Sequence, residues 1–585
     1  MGTAEIANPA VKETERTQVG RLPCVETQRR TLGKAWIACG IFLLVLGAYA
    51  LSSPGRIDIV DGEARFDVAY NWIVNGRPMM TDTWLIPFMS VPGRDGLRYS
   101  YYGAPGSVFA LPLVWLGLHS GGPPVAPSQF LFSLTSSLLG AAIAPILFLF
   151  YLELGVTRRS ALAWTMVSSF ATYIWAISNS TFDNAQHAFF ALGALYFAYL
   201  SGRRKSAKYA LLGGAMAGVL VLYQDYFLLI VPALALATLQ WKPESDFTVP
   251  ALAGSPEFLG SRLLSRLQGI FEETKAQLRR AWEEPGDARS SCRRYCLFLA
   301  AVGVGILLSM AYNDLRFGSW IHDSRFRFAA ERHFPVFGNP LTGFLTLLVS
   351  PGKSVFLYSP AVVIGLLGIR QLWRRKPVLA TVIAASSVLL VLFLSCISFA
   401  GGDWCWGPRY LAPLLTMWAL AFPFAPRVKG KRQLAVALIA VGFVVQILAL
   451  SVENQRFFLE RRLNDYFWAE QPWFYMKHSA LFARVGEFMS LSKGVPPTAT
   501  LFNSIPVPNW CTYTLLGPPL AVPRSLAPLW IQHFKIFYLP RPWPLWMSSV
   551  PLNWRPINMA PWIVALFGLT AVGAGMVYRG LQVKE

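Results

Sequence analysis

The sequence predicts an all-α polytopic membrane protein with about twelve transmembrane helices. Of its 585 residues, 54% are hydrophobic and only 14% are charged, whereas charged residues make up about a quarter of a soluble protein. Long apolar runs recur along the chain, and Arg and Lys cluster in the short loops between alternate runs. Because inner loops carry such an excess of basic residues, we expect a multi-pass protein of the plasma (inner) membrane with both termini inside.

The first predicted span, 35–54, follows a polar, basic N-terminal tail, 1–34, in which we see no cleavable signal peptide. The short loops at 179–182 and 399–408 contain no Lys or Arg and are assigned outside. Residues 105–118 are apolar but short and contain two prolines, so we expect a helix lying in the outer interface. The other predicted spans are 128–152, 160–178, 183–201, 208–223, 225–240, 296–312, 354–371, 378–398, 409–426, 433–451 and 559–579.

The longer connecting segments divide the chain further. Residues 56–127 form a first outer loop with two juxtamembrane helices, and 241–295 form the main cytoplasmic loop of a transmembrane module that covers 35–451. Residues 452–558 are rich in Trp and Pro and are predicted to form a small extracytoplasmic domain. The last span and a cytoplasmic tail follow at 559–585.

The net charge of +21 does not indicate nucleic-acid binding, because the basic residues occur in short runs between apolar helices. They fit membrane orientation and anionic lipid head groups better. The seven Cys are scattered without a C-x-x-C pair, which argues against a thiolate zinc site. Cys405 and Cys511 are both predicted on the oxidising outer side, where they either pair or remain buried free thiols.

Carboxylates follow the first span directly. Asp58, Asp61 and Glu63 lie in the stretch IDIVDGEARF, next to the predicted membrane surface. Acids fixed beside hydrocarbon are costly and usually functional. The pattern indicates general-base or metal chemistry on a lipid-linked substrate; the alternative is a solvated loop that happens to begin with acids.

Three further outer segments carry candidate binding groups. Asp183 and His187 are four residues apart and share one helix face, so they can bind a metal or position an acceptor, or simply form a polar helix start. Arg409, in GGDWCWGPRY, begins a span from outside, and its planar fork suits a lipid phosphate. Lys353 precedes another span, where it either contacts phosphate or extends its amine to the interface.

At these motifs the chain resembles the GT-C superfamily of polyprenyl-phosphate-sugar-dependent glycosyltransferases, which includes protein O-mannosyltransferases and lipid A aminoarabinose transferases. The resemblance covers most of 35–451. It rests on the D-x-E-x-R-F element after the first span, the Tyr-rich segment before Pro105, the Asp183/His187 loop, and the blocks YNDLRFG, SPGKSVFLYSP and GGDWCWGPRYLAP.

The resemblance implies a GT-C-like fold and a membrane glycosyltransferase that works on the extracytoplasmic side. The donor would be a polyprenyl-phosphate sugar, and the acceptor a glycan, lipid or protein of the cell envelope. Asp61 is the closest match to the family's catalytic carboxylate and would act as general base, with Glu63 and Asp58 as alternatives. Cationic side chains would stabilise the departing lipid phosphate, and a single displacement would invert the anomeric centre.

Two departures from the family pattern affect this assignment. Gly62 separates two acids that are often adjacent in the family, and Tyr102-Gly-Ala-Pro replaces a Lys that precedes a Pro-Pro pair. The phosphate would then be bound by Arg98, Tyr102, Lys353 or Arg409. No nucleotide-binding motif is seen, which fits a lipid-borne donor, and a divalent metal is the cofactor to consider.

Two other classes of function compete with the enzyme. A transporter or flippase for lipid-linked glycans would also be polytopic, basic and rich in aromatic residues. It should show inverted repeats or ionisable residues deep within spans, and Asp225 is the best candidate for such a residue. A non-catalytic assembly subunit is the third alternative, against which the intact acidic and arginine motifs argue.

Overall fold

The computed structural model describes residues 22–53, 57–82, 89–120, 125–239, 285–321, 324–331, 335–426, 428–451, 470–492 and 560–582, together with 333, 454, 457, 458 and 461. Most of the predicted cytoplasmic loop at 241–295 and of the outer segment at 452–558 therefore lies outside the described residues. Helices dominate the rest, as the sequence predicts.

The N-terminal half of the described chain contains eleven α-helices and one hairpin. In chain order they are α1 Leu22–Ser52, α2 Val60–Val74, β1 Ser90–Pro92, β2 Arg98–Ser100, α3 Pro105–Val108, α4 Leu111–Leu118, α5 Val125–Ser133, α6 Thr135–Glu153, α7 Arg158–Phe170, α8 Ile174–Ser178, α9 Asn184–Arg204, α10 Ala207–Tyr223 and, after a 3-10 helix at Asp225–Ile230, α11 Val231–Leu236.

The C-terminal half continues the helical pattern through the described residues. Its elements are α12 Pro285–Phe317, α13 Ser324–Glu331, α14 Pro340–Leu348, α15 Val355–Tyr358, α16 Val362–Arg375, α17 Pro377–Cys396, a 3-10 helix Arg409–Leu411, α18 Ala412–Ala419, a 3-10 helix Phe422–Phe424, α19 Lys429–Ser451, α20 Gln471–Lys477, α21 Ala480–Ser492 and α22 Ala560–Gln582.

Six helices in the described part of the chain are long and apolar enough to cross a membrane. Other predicted spans consist of shorter pieces: 160–178 is interrupted between α7 and α8, and 354–371 between α15 and α16, where Pro360 cannot continue a helix. The total of about twelve crossings stays a prediction. The six long segments are Gly33–Ser52, Pro127–Glu153, Arg289–Phe317, Pro377–Cys396, Gly430–Ser451 and Val564–Gln582.

A small hairpin in the first outer loop departs from the all-α expectation. Strands β1 and β2 pair antiparallel, with Ser90 opposite Ser100, around a turn in which Gly96 has a φ of +78°. Each strand has three residues, which is too short for an alternating pattern to be recognised in sequence. The hairpin connects α2 to α3.

Helix α2 carries the acids of the first outer loop. Asp61 and Glu63 lie in its first turn, where the helix dipole favours negative charge. Its apolar side chains Phe66 and Ala69 are buried in a cluster with Ala110 of the α3–α4 segment. This packing fixes the orientation of α2 and therefore the position of its first turn.

Helix α9 brings a second polar group to the same region. It begins at Asn184 with Asp183 as its N-cap, and it ends with Arg203, Arg204 and a left-handed Lys205 with a φ of +51°. Basic residues in the last turn and a left-handed C-cap residue are typical of helix C-termini. The acidic N-terminus of α9 thus lies at one end of the bundle and its basic end at the other.

The last described helix, α22, packs against α1 through glycines. A Cβ on Gly573 would lie 2.5 Å from the backbone nitrogen of Leu44 and 2.7 Å from the carbonyl oxygen of Gly40. A Cβ on Gly40 would in turn lie 2.9 Å from the carbonyl oxygen of Gly573. The two backbones are therefore in direct contact, a packing that small residues allow between membrane helices.

We expect Gly573→Ala to destabilise the protein by about 1–3 kcal/mol, because the new methyl must push the backbone of α1 away. Gly575→Ala is the matched control, since nothing lies within 4 Å of a Cβ at that position of the same helix. Thermal unfolding of both variants in one detergent measures the difference. Equal unfolding midpoints would show that α22 does not depend on this contact.

Candidate active site

Asp58 ties the first outer loop to the loop that precedes α9. Its carboxylate accepts hydrogen bonds from the Thr181 backbone N–H at 2.7 Å, the Thr181 hydroxyl at 2.6 Å and the Ser180 hydroxyl at 2.8 Å. A Cβ on Gly62 would lie 2.2 Å from Thr181 Oγ1, so glycine permits this close approach. Close packing against Thr181 therefore explains why a glycine lies between Asp61 and Glu63.

Asp61 forms an ion pair with Arg409, although 348 positions separate the two residues. Arg409 Nη1 lies 3.2 Å from Asp61 Oδ2, and the two side chains are 6% and 15% exposed. The Arg409 guanidinium also lies over the Phe182 ring at 3.7 Å and donates from Nη2 to the Tyr410 hydroxyl at 3.1 Å. Asp61, the predicted general base, is therefore in direct contact with Arg409, the residue predicted to bind the lipid phosphate.

Arg65 connects this pair to the second predicted pair. Its Nη2 donates to Asp183 Oδ2 at 2.7 Å, and its Nη1 donates to the carbonyl oxygen of Asp61 at 2.9 Å. His187 Nε2 lies 3.4 Å from the same Asp183 oxygen, and the Arg65 guanidinium lies 4.2 Å from the centre of the Tyr102 ring. The structure thus brings together Asp61, Arg409, Asp183, His187 and Tyr102.

The sequence predicts no separate role for Arg65 or Phe182. Arg65 lies four residues after Asp61 on a helix, and this spacing indicates that the two residues lie on the same helix face. No comparable signal marks Phe182, because its contact with Arg409 depends on how two distant segments pack.

Each of the two arginines has a buried Nε–H group for which the described residues provide no acceptor. A glycine lies beside each Nε: a Cβ on Gly106 would be 3.0 Å from Arg65 Nε, and a Cβ on Gly402 would be 3.0 Å from Arg409 Nε. Because unpaired buried donors are costly, these two groups are candidates for binding an anion.

Glu63 lies outside this charge network, beside other acids. Burial raises the pKa of Glu63 well above its usual range, and the nearby Asp82 and Asp67 raise it further. Burial likewise raises the pKa of Asp67 to about 6, while its carboxylate accepts backbone N–H bonds from Thr81 and Asp82. The Asp67 carboxylate thereby holds the chain after α2 in place.

Arg98 and Lys353 contact protein groups. Arg98 donates from Nε to the Ser90 hydroxyl and from Nη2 to the Ser90 carbonyl, both at 3.0 Å, within the hairpin. Lys353 is fully buried, and its Nζ donates to three carbonyl oxygens of the 403–407 loop, those of Asp403 at 2.8 Å, Cys405 at 2.6 Å and Gly407 at 3.3 Å. Their phosphate-binding role stays a prediction.

The sulfur of Cys405 is part of the same arrangement, 3.1 Å from Lys353 Nζ. Cys511, its predicted disulfide partner, lies outside the described residues, so the pairing stays a prediction. Among the described residues, no group of three or more His, Cys, Asp and Glu side chains could hold a metal ion. Asp183 and His187 alone offer only two ligands, and Arg65 and His187 both contact the Oδ2 atom of Asp183.

Comparison of the sequence with protein-family profiles finds no match, and comparison with curated proteins finds none either. Among solved structures, the chain is similar to that of ArnT from Cupriavidus metallidurans bound to undecaprenyl phosphate. The two sequences are 14% identical, and the match covers 77% of this chain and 71% of that chain with a TM-score of 0.40.

We expect Lys353→Met to destabilise the protein by about 3 kcal/mol or more, because three buried carbonyl groups lose their cationic donor. Lys208→Met is the matched control, since Lys208 is exposed on α10. The unfolding midpoints of the two variants in the same detergent compare the two positions. A Lys353→Met midpoint equal to that of the control would contradict a structural role for this amine.

Proposed function

We propose that this protein is a membrane glycosyltransferase that moves a sugar from a polyprenyl-phosphate donor to a cell-envelope acceptor on the outer side of the membrane. The observation that carries the proposal is the pair of buried arginines beside Asp61. Arg65 and Arg409 both contact Asp61, and each has an Nε–H without an acceptor in the described part of the chain. A lipid phosphate supplies the oxygens that two such donors need.

The unpaired Nε–H donors of the site, rather than its net charge, support an anionic ligand. The carboxylates of Asp183 and Asp61 each contact one arginine, so the pairs are neutral before a ligand binds. A phosphate that binds the free Nε–H groups takes no existing hydrogen bond away from either acid. As the bond to the sugar breaks, negative charge grows on the phosphate, and the fixed guanidinium groups stabilise it.

Asp61 is the carboxylate best placed to meet an acceptor. Its side chain is 15% exposed, against 6% for that of Asp183, and its ion pair uses only Oδ2. Asp58 already accepts three hydrogen bonds from the neighbouring loop. Asp61 would therefore accept the proton of the acceptor hydroxyl, while Asp183 keeps Arg65 in position.

The reaction is then a single displacement. The acceptor oxygen forms a bond to the anomeric carbon and gives its proton to Asp61. The bond from the anomeric carbon to the phosphate oxygen breaks, and its electron pair leaves with the lipid phosphate. Attack opposite the leaving group inverts the configuration at the anomeric carbon. No step requires a nucleotide, which agrees with a lipid-borne donor.

Loss of the gene should remove one sugar modification from the cell envelope, and mass spectrometry of envelope glycans would detect it. Re-expression of Asp61→Asn should not restore the modification, because an amide cannot accept the proton; we expect turnover at least about 100-fold lower. Asp95→Asn, an exposed acid of the same outer loop, should restore it fully. Full restoration by Asp61→Asn at equal protein levels would move the base to Glu63 or Asp58.

Arg409→Lys should weaken binding of undecaprenyl phosphate by about tenfold or more, because a point charge cannot reproduce the fork that meets Asp61 and the ligand together. Arg374→Lys, on an exposed part of α16, is the matched control. Native mass spectrometry of the purified protein with this lipid gives both affinities. Wild-type affinity in Arg409→Lys would contradict a bidentate contact.

A further inference from the structure

Asp403 has a backbone conformation that is unfavourable for residues with a Cβ. Its φ is +56°, and it follows Gly402, whose φ is +74°. Glycine adopts this left-handed region without steric cost, while Asp and Asn are the side chains that tolerate it best. The loop already contains glycine at positions 401, 402 and 407, so the backbone alone does not account for a carboxylate at 403.

Buried donors hold Asp403 in this conformation. Lys353 Nζ and the Tyr475 hydroxyl both donate to its carbonyl oxygen, at 2.8 and 3.2 Å. Cys405 donates its backbone N–H to the same oxygen at 2.8 Å. Residues in sparsely populated conformations persist where their surroundings fix them, and they concentrate at binding sites. The side chain of Asp403 is therefore carried on a rigid support.

The carboxyl group of Asp403 belongs to the surroundings of Arg409. Gln471 forms a side-chain hydrogen bond to it. Burial raises the pKa of Asp403, the charge of Arg409 lowers it, and the charge of Asp61 raises it. The Arg409 stem packs against Gly402, the neighbour of Asp403 in the chain, since a Cβ on Gly402 would lie 2.7 Å from Arg409 Cγ. The next three residues of the loop are buried, whereas Asp403 is partly exposed. Part of Asp403 is thus open to a ligand at the site.

Arg409 Nε lies against Gly402, the residue immediately before Asp403, since a Cβ on Gly402 would be 3.0 Å from that nitrogen. A phosphate oxygen that accepts from this Nε–H would bring the group esterified to the phosphate close to Asp403. A carboxylate repels phosphate oxygens, whereas it accepts hydrogen bonds from hydroxyl groups. The neighbour that suits this carboxylate is therefore the sugar rather than the phosphate.

We propose that Asp403 binds a hydroxyl group of the donor's sugar and thereby selects the donor lipid by its carbohydrate. The inference rests on the proposed function and goes beyond it, because it separates sugar recognition at Asp403 from phosphate recognition at Arg65 and Arg409.

The test compares two dissociation constants for each purified variant in lipid nanodiscs. One is for undecaprenyl phosphate, and the other is for the tightest-binding member of a panel of undecaprenyl-phosphate sugars carrying glucose, mannose, galactose or 4-amino-4-deoxyarabinose. Asp403→Gly removes the carboxylate and keeps the left-handed backbone, and Asp403→Asn removes only the charge. Lys205→Gly is the control, since Lys205 is also left-handed and lies at the far end of α9.

We expect Asp403→Gly to bind undecaprenyl phosphate with the same affinity as the unsubstituted protein. Its affinity for the sugar-bearing lipid should be about tenfold weaker, because a hydrogen bond to a charged group is lost. Asp403→Asn should show a smaller effect in the same direction, and Lys205→Gly none. Equal weakening of both lipids would overturn the inference, because Asp403 would then act by positioning Arg409. Unchanged affinities would overturn it as well. Failure of the unsubstituted protein to bind either lipid would instead overturn the proposed function.

Discussion

The structure of the site depends on the mutual neutralisation of four charged side chains, of which Arg65, Arg409 and Asp183 are buried and Asp61 is partly exposed. Arg65 and Arg409 are almost fully buried, and an unpaired charge in such surroundings is strongly destabilising. Asp183 and Asp61 supply the opposite charges from two different segments. Because each ion pair joins segments distant in sequence, the pairs also require the first outer loop, the α9 N-terminus and the 409 segment to meet at one place.

Close backbone packing makes that meeting geometrically feasible. Gly62 lets α2 approach Thr181, while Gly106 and Gly402 leave room for the stems of the two arginines. Asp58 then locks the first contact with hydrogen bonds, and Lys353 holds the loop that leads to Arg409 from its buried side. The charged groups are therefore held by rigid neighbours, which is the condition for electrostatic stabilisation of a transition state.

The distribution of roles among the acids follows from their surroundings. Asp58 is saturated with hydrogen bonds, Asp183 is bound to Arg65, and the pKa of Glu63 is raised by burial beside other acids. Asp61 keeps partial exposure at the junction of both arginines, so the proposed base is the acid whose environment leaves it accessible. Asp403 differs from these acids in its backbone, which has a left-handed conformation in the loop before Arg409.

Composition and the alternation of basic loops determined, without any structure, that the chain is a helical polytopic membrane protein. The order of the motifs also selected Asp61, Asp183, His187 and Arg409, which the fold brings together. Only the tertiary structure decided the direction of each long side chain: Lys353 turns inward to carbonyl groups, and Arg65 reaches across to Asp183. The reason is physical, because a flexible cation beside a membrane can meet water, lipid or protein, and the packing of distant segments selects among them.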